Sequence, residues 1–340
     1  MFEVRRVKRI TVSCLGIGLA VAFGGAACGS AGGEASSKTD SVAVLVGGGS
    51  NAYQAAGVEA IKASAADAGI SVDVFDAAYE ASKQYSQLQT ALTSGKYGGV
   101  IIDPVDGAGI VSLVKQAKSA GIEVASWNQP IGSDYTTPEP TVDGVTNQAM
   151  LPLTESGRIS GELTKKACAD AKSDPCKVAI LYYKKGSTYD TAVMEGFDAA
   201  IADSPSIQVV AGADTEATRQ GGLAGAQTIL TGTPDTDVMV GTSQAVTGAV
   251  PAVANSAEKV FLIGQALTRQ GAEGVRSGDL YGGTQAMAGE EGRLAFEQLV
   301  NAMEGKPFIS GINPGEYLNS PCLSGVLQSN VEQCSFDFNG

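Results

Sequence analysis

Polar and aromatic residues recur at the ends of short apolar runs in this chain. Asn51, Tyr53 and Gln54 follow the run at 42–46, Asp103 follows 99–102, and Trp127 and Asn128 follow 122–126. In the second half Tyr183, Tyr189 and Asp190 close and follow the run at 177–183. Thr242 follows 237–241, and Gln265 and Gln285 end two later segments. Such a set suits a polyhydroxylated molecule. The ring of Trp127, the only tryptophan, would cover C–H faces, while amides and one carboxylate answer hydroxyl groups. Bond-breaking chemistry has less to work with. The chain has no histidine, no Gly-x-Ser-x-Gly, no His-Glu-x-x-His and no Walker loop. One motif does match a cofactor loop: Gly47-x-Gly49-x-x-Ala52 opens a helix after a strand, and Asp76 lies near the end of the next strand. That is the layout of a dinucleotide-dependent oxidoreductase. The corresponding loop at 183–188 lacks the glycine pattern, so the sequence predicts a non-enzyme that needs no cofactor and no metal.

These groups must be held by alternating strands and helices. Val42–Val46 is a continuous apolar run, as expected of a strand buried on both faces. A helix follows with Val58, Ile61, Ala65 and Ala68 on one stripe. Strands at 71–75, 99–102 and 122–126 continue the rhythm, which returns at 177–183, 206–211, 237–241 and 259–264. Repeated βα units imply parallel sheets with right-handed crossovers. The halves also align on one another at a constant offset. Val42, Ala43 and Leu45 fall on Val178, Ala179 and Leu181, Tyr53 on Tyr189, Ala56 on Ala192 and Glu59 on Glu195. The expected fold class is therefore α/β, with two similar Rossmann-like lobes, parallel sheets and a multi-strand hinge. In such sheets, ligands bind beyond the carboxyl ends of the strands.

The start of the chain speaks to location. Four of the first nine residues are cationic, an apolar run follows from Ile10 to Ala27, and Ala26-Ala27 precede Cys28. This is an export signal over 1–27, and it resembles a bacterial lipoprotein signal with Cys28 as the acylated residue. Simple cleavage with secretion is the alternative. Residues 28–40 read as the anchor cysteine and a flexible linker. The remaining cysteines, Cys168, Cys176, Cys322 and Cys334, lie eight and twelve residues apart. Near-neighbour disulfides are favoured in an oxidising compartment, although four cysteines allow three pairings. Charge argues against nucleic acid. Lys and Arg number 23 against 36 Asp and Glu, and removing 1–27 deepens the imbalance.

Residues 40 to about 310 resemble the ribose-type periplasmic binding proteins, the sugar-binding subunits of ABC importers. The likeness rests on Gly47-Gly-Gly-Ser-Asn-Ala-Tyr53, Ile101-Ile-Asp-Pro104, Gly157-Arg-Ile-Ser-Gly-Glu162, Glu195-Gly-Phe197 and Val260-Phe-Leu-Ile-Gly264, in that order. It implies two lobes joined by three crossings, with a first lobe of 41–148 plus 286–307 and a second of 149–285 plus 308–340. It also implies a monomer that binds a small neutral polar solute by hinge closure and hands it to a permease served by an ATPase. A sensor subunit presenting the same solute to a membrane receptor is a second reading. The chain departs from the family where an Asp-Arg pair is usual and Asn128-Gln129 stands instead, and where Gly264-Gln265-Ala266 replaces Gly-Phe-Asp. A site without the arginine fork suits a sugar alcohol or a sugar other than ribose. The segment 132–148 and the tail after residue 311 exceed the family's usual length.

Overall fold

The computed structural model describes residues 40–340. The expected signal at 1–27, Cys28 and the linker up to residue 39 lie outside the described residues. Strand β1 (Ser41–Val46) leads into α1 (Ala52–Ala68), β2 (Ser71–Asp76), α2 (Ala81–Thr93), β3 (Gly99–Ile102), α3 (Val111–Ser119), β4 (Glu123–Trp127) and the short β5 (Asn147–Ala149). The second lobe runs through α4 (Leu153–Ala171), β6 (Cys176–Tyr182), α5 (Thr188–Ile201), β7 (Ile207–Asp214), α6 (Arg219–Gly232) and β8 (Val238–Thr242). It continues with α7 (Ser243–Val253), β9 (Phe261–Leu267), α8 (Arg269–Ser277) and β10 (Gly282–Gln285). The chain then returns to the first lobe for α9 (Ala288–Met303) and β11 (Gly311–Ile312). It ends over the second lobe with α10 (Pro314–Tyr317), β12 (Val326–Leu327) and a tail.

Each lobe holds one six-stranded sheet, in the orders β11-β5-β4-β3-β1-β2 and β12-β10-β9-β8-β6-β7. All pairings are parallel except that of β12 with β10. Side chains alternate across each strand, which sorts the apolar runs onto two faces. Val42, Val44 and Val46 of β1 face α1 and α9 with Ile61, Phe296 and Leu299, whereas Ala43 and Leu45 face α2 and α3 with Leu88 and Leu113. The second lobe repeats the plan. Val178 and Ile180 meet α4 and α5, and Ala179 and Leu181 meet α6 and α7.

The internal repeat is present in three dimensions. Helices α1 and α5 start at Ala52 and Thr188, and their side-chain caps are Asn51 and Ser187, all at the offset seen in the sequence. Left-handed residues also recur after equivalent strands: Ala78 and Tyr79 after β2, Glu216 and Ala217 after β7. The expected lobe limits need one adjustment. The sequence reading places the residues from 308 onward in the second lobe, whereas β11 pairs with β5 and extends the first sheet, so the third crossing begins at Asn313. Both near-neighbour disulfides form, Cys168–Cys176 and Cys322–Cys334, with Cα atoms 5.7 and 5.9 Å apart.

Candidate binding site

The carboxyl ends of the two sheets face each other, and the lobes touch there. Asn51 caps α1, its Oδ1 accepting from Tyr53 N at 2.9 Å and Gln54 N at 3.3 Å. Its side chain also bonds the phenol of Tyr79, a residue of the second βα loop. Asp103, at the end of β3, is 2 % exposed. One carboxylate oxygen accepts from Asn128 Nδ2 at 3.1 Å, and the Gly47 backbone amide lies close enough to pull this carboxyl's pKa down. The other oxygen, Oδ2, is buried without a partner. Burial pushes this carboxyl up to about 7, against the pull of those two groups. Asn128 holds its position through a left-handed backbone, φ 63°, a conformation that asparagine tolerates better than most residues.

The second lobe answers with phenols and an amide. Tyr183 and Tyr189 pack edge to face at 6.3 Å, and Tyr189 donates to Gln265 Oε1 at 3.4 Å. Tyr183 lies near enough to Tyr79 of the first lobe to contribute, after burial and Asp103, to raising that phenol. Tyr135, from the long segment between β4 and β5, lies beside Thr188 and packs against the cluster of Leu153, Ala192 and Val193, as Tyr189 does. Asn51, Asp103, Asn128, Tyr183, Tyr189 and Gln265 are thus brought to one cleft.

Other expected site residues are committed elsewhere. Gln54 accepts from the Gly48 N–H through Oε1. Asp190 folds its own loop, accepting from Tyr183 N at 3.1 Å, Lys184 N at 2.7 Å and Ser187 Oγ at 3.1 Å. Thr242 caps α7 by accepting from Ala245 N. Gln285 holds the C-terminal tail, donating to Ser335 O at 2.9 Å and accepting from Ser320 Oγ at 2.6 Å. Trp127 departs furthest from expectation. It is fully buried on the Ala125 side of β4, the side that α1 and α9 cover. Its ring lies stacked near Tyr53, centroids 6.4 Å apart and planes 13° apart, and fills the space over Gly57, where a Cβ would meet it at 2.0 Å. Trp127 is core that backs Tyr53, not a platform open to the cleft.

Tyr53 leads to a residue the sequence reading missed. Its hydroxyl donates to Glu291 Oε2 at 2.7 Å, while Glu291 Oε1 accepts from Leu151 N at 3.3 Å. Glu291 is 2 % exposed in the first turn of α9, and burial pushes it up to about 8 despite those two donors. It ties the first crossing, the second crossing and α1 together. No local signal marks it, since Tyr53 and Glu291 are 238 residues apart.

Residues 42–307 match the periplasmic binding protein domain family. The chain belongs to that family. The ribose import binding protein of Bacillus subtilis (strain 168) is 25 % identical over 249 residues, covering 72 % of this chain and 76 % of that protein. Among solved structures, a solute-binding protein of Bacillus halodurans C-125 with bound myo-inositol has a TM-score of 0.71 at 20 % identity, covering 86 % of this chain and 96 % of its own. One from Actinobacillus succinogenes 130z with bound D-allose has a TM-score of 0.69 at 20 % identity, covering 80 % and 94 %. The family match stops at residue 307, so the disulfide-bearing tail lies beyond it.

Proposed function

We propose that the protein is an extracytoplasmic substrate-binding lipoprotein of an ABC importer, taking a neutral sugar or sugar alcohol into the cleft between its lobes. The observation that carries this reading is Asp103. A buried carboxylate oxygen without a partner costs free energy until a donor reaches it, and a ligand hydroxyl is such a donor. Around it stand neutral groups, the Asn51 and Asn128 amides and the phenols of Tyr79, Tyr183 and Tyr189. Contacts from both lobes would favour the closed form, which a membrane permease with its ATPase then recognises. The relatives described above, a ribose importer subunit and proteins holding myo-inositol and D-allose, support the ligand class.

The oxidoreductase alternative loses its phosphate site. Gly48 N–H donates to Gln54, the Asp76 carboxylate stands 3.0 Å from where a Cβ on Gly49 would sit, and the Tyr79 ring lies where a Cβ on Gly48 would sit. These side chains stand in the loop a pyrophosphate would have to enter, which favours the binding reading.

A thermal-shift screen of D-allose, myo-inositol, ribose, glycerol, amino acids and nucleotides tests the reading. A ligand binding only the folded form adds RT ln(1 + [L]/Kd), about 4 kcal/mol at a thousandfold excess over Kd. Stabilisation by a sugar or polyol is expected. Stabilisation by an amino acid or nucleotide with no sugar or polyol response would overturn it. Cys28→Ser is expected to release the protein from membranes into the medium, and unchanged retention would reject lipidation there.

A further inference from the structure

The tail after Cys334 crosses from one lobe to the other. Its hold on the second lobe is through hydrogen bonds. Arg269, at the start of α8, donates from its backbone N to Phe338 O at 3.0 Å, and its guanidinium reaches Phe336 O at 3.1 Å and Asp337 O at 3.0 Å. Arg219 donates to Gly340 O, and Gly340 N donates to Gln270 Oε1 at 3.0 Å. Upstream, Gln285 grips Ser335, and the Cys322–Cys334 bond closes the loop that delivers the segment.

Its hold on the first lobe differs in kind. Asp337 Oδ2 accepts from Gly289 N at 2.6 Å, at the positive end of the sixteen-residue α9. Phe338 is 3 % exposed and forms one apolar cluster with Ala286 of the second crossing and Ala288 at the start of α9, against which Ala52, Tyr53 and Ala56 of α1 and Ala266 of the second lobe pack. Its ring meets Tyr53 edge on, with centroids 5.2 Å apart and planes at 70°. Tyr53 stands two residues from Asn51, and Ala266 follows Gln265, so the wedge borders both halves of the cleft.

We infer that Phe338 is a positioning residue for ligand capture, a clasp that travels with the second lobe and holds the first in the closed arrangement. When the lobes part, one of its two sets of partners must be given up. Several directional bonds fix the tail to α8, whereas one carboxylate and one ring fix it to the first lobe. The ring therefore leaves α1. Each opening then exposes Phe338 and the facing methyl groups to water, which biases the unliganded protein towards closure. The clasp rests on the binding reading only for its consequence, a closing equilibrium that enters the apparent affinity.

Small-angle X-ray scattering of the ligand-free, full-length chain tests it without any ligand. Phe338→Ala is expected to raise the radius of gyration and maximum dimension, corresponding to an open-to-closed ratio shifted by about tenfold, on the scale of withdrawing part of a phenylalanine from apolar contact. Phe338→Leu, which keeps an apolar wedge, is expected to restore most of the compact profile. Arg269→Ala, at an exposed residue, removes the guanidinium bonds to Phe336 O and Asp337 O while the backbone bond to Phe338 O remains. It loosens the tail on the second lobe and is expected to open the protein in the same direction as Phe338→Ala, to a smaller extent. Should Phe338→Ala lose its fold by circular dichroism, Arg269→Ala decides alone. Wild-type scattering from folded Phe338→Ala, or from Arg269→Ala, would overturn the clasp. If the binding reading itself fails, no solute in the screen stabilises the protein while these scattering shifts remain.

Discussion

Glu291→Gln is the sharpest test of how the hinge is held. In the folded protein the carboxyl is pushed up to about 8 by burial, whereas an unfolded glutamate titrates near about 4.3. Between those values the folded state holds a proton that the unfolded state has lost. Stability therefore falls as pH rises from about 4 to about 8 and levels off above that. At about 1.4 kcal/mol per pKa unit, this one group accounts for a loss on the order of 3–5 kcal/mol across the window. Glutamine resembles the protonated acid and does not titrate. It can still accept from Leu151 N, and the Tyr53 hydroxyl can turn to accept from the new amide. The free-energy difference, variant minus wild type, should thus move in the variant's favour from pH 5 to pH 8. Urea unfolding followed by circular dichroism at both values measures it. Asp103, which burial pushes up to about 7, titrates in the same range but is common to both proteins and drops out of the difference to first order. A difference that is the same at pH 5 and pH 8 would refute the argument.

Gly57→Ala places a Cβ 2.0 Å from the Trp127 ring and should cost about 1–3 kcal/mol, although Gly→Ala inside a helix ordinarily stabilises; shifted tryptophan emission should accompany the loss, and a stabilised variant would contradict the packing. Asp103→Asn should weaken binding of whichever solute stabilises the protein by about tenfold or more, the scale of a hydrogen bond to a charged group. In the wild type, calorimetric affinity should rise with pH through about 7, because the solute's hydroxyl favours the ionised carboxylate, and the variant should lose that dependence. Replacing Cys168 and Cys176 by serine opens a short loop and should lower stability by about 2–3 kcal/mol in a denaturant titration, with no change in the binding profile.

The sheets were legible because a strand buried on both faces must be apolar throughout, and Val42–Val46, Gly99–Ile102 and Val178–Leu181 are so. Strands β5, β11 and β12 have no counterpart in the sequence reading, and β10 is marked there only by its end at Gln285. They are two to four residues long, and Gly282-Gly283-Thr284-Gln285 has no apolar pattern at all. That Trp127 is core and not a ligand platform is hidden in the sequence for a related reason. A position at a strand end shows where the chain leaves the sheet but not which face the last residue takes. The usable signal was Gly57, a gap on the stripe of Val58 and Ile61, which only a large neighbour could fill. Loop amides carry a different ambiguity. Gln54, Asp190 and Gln285 have the chemistry to hold a ligand, but each first meets a backbone N–H or hydroxyl of its own fold. Glu291 and Phe338 depend on where distant segments return, and the length of the tail showed that it had a destination without naming it.

The return of α9 and β11 to the first lobe sets an order on the chain's own maturation. Leu294, Ala295, Phe296 and Leu299 fill the space over β1 and β4, beside Trp127, and Ile312 extends the same core. During synthesis the residues of β1 to β4 emerge long before the helix that covers them. Helix α1 covers part of that face of the sheet early, but the first lobe is obliged to wait with the rest of it bare until nearly the whole chain is available.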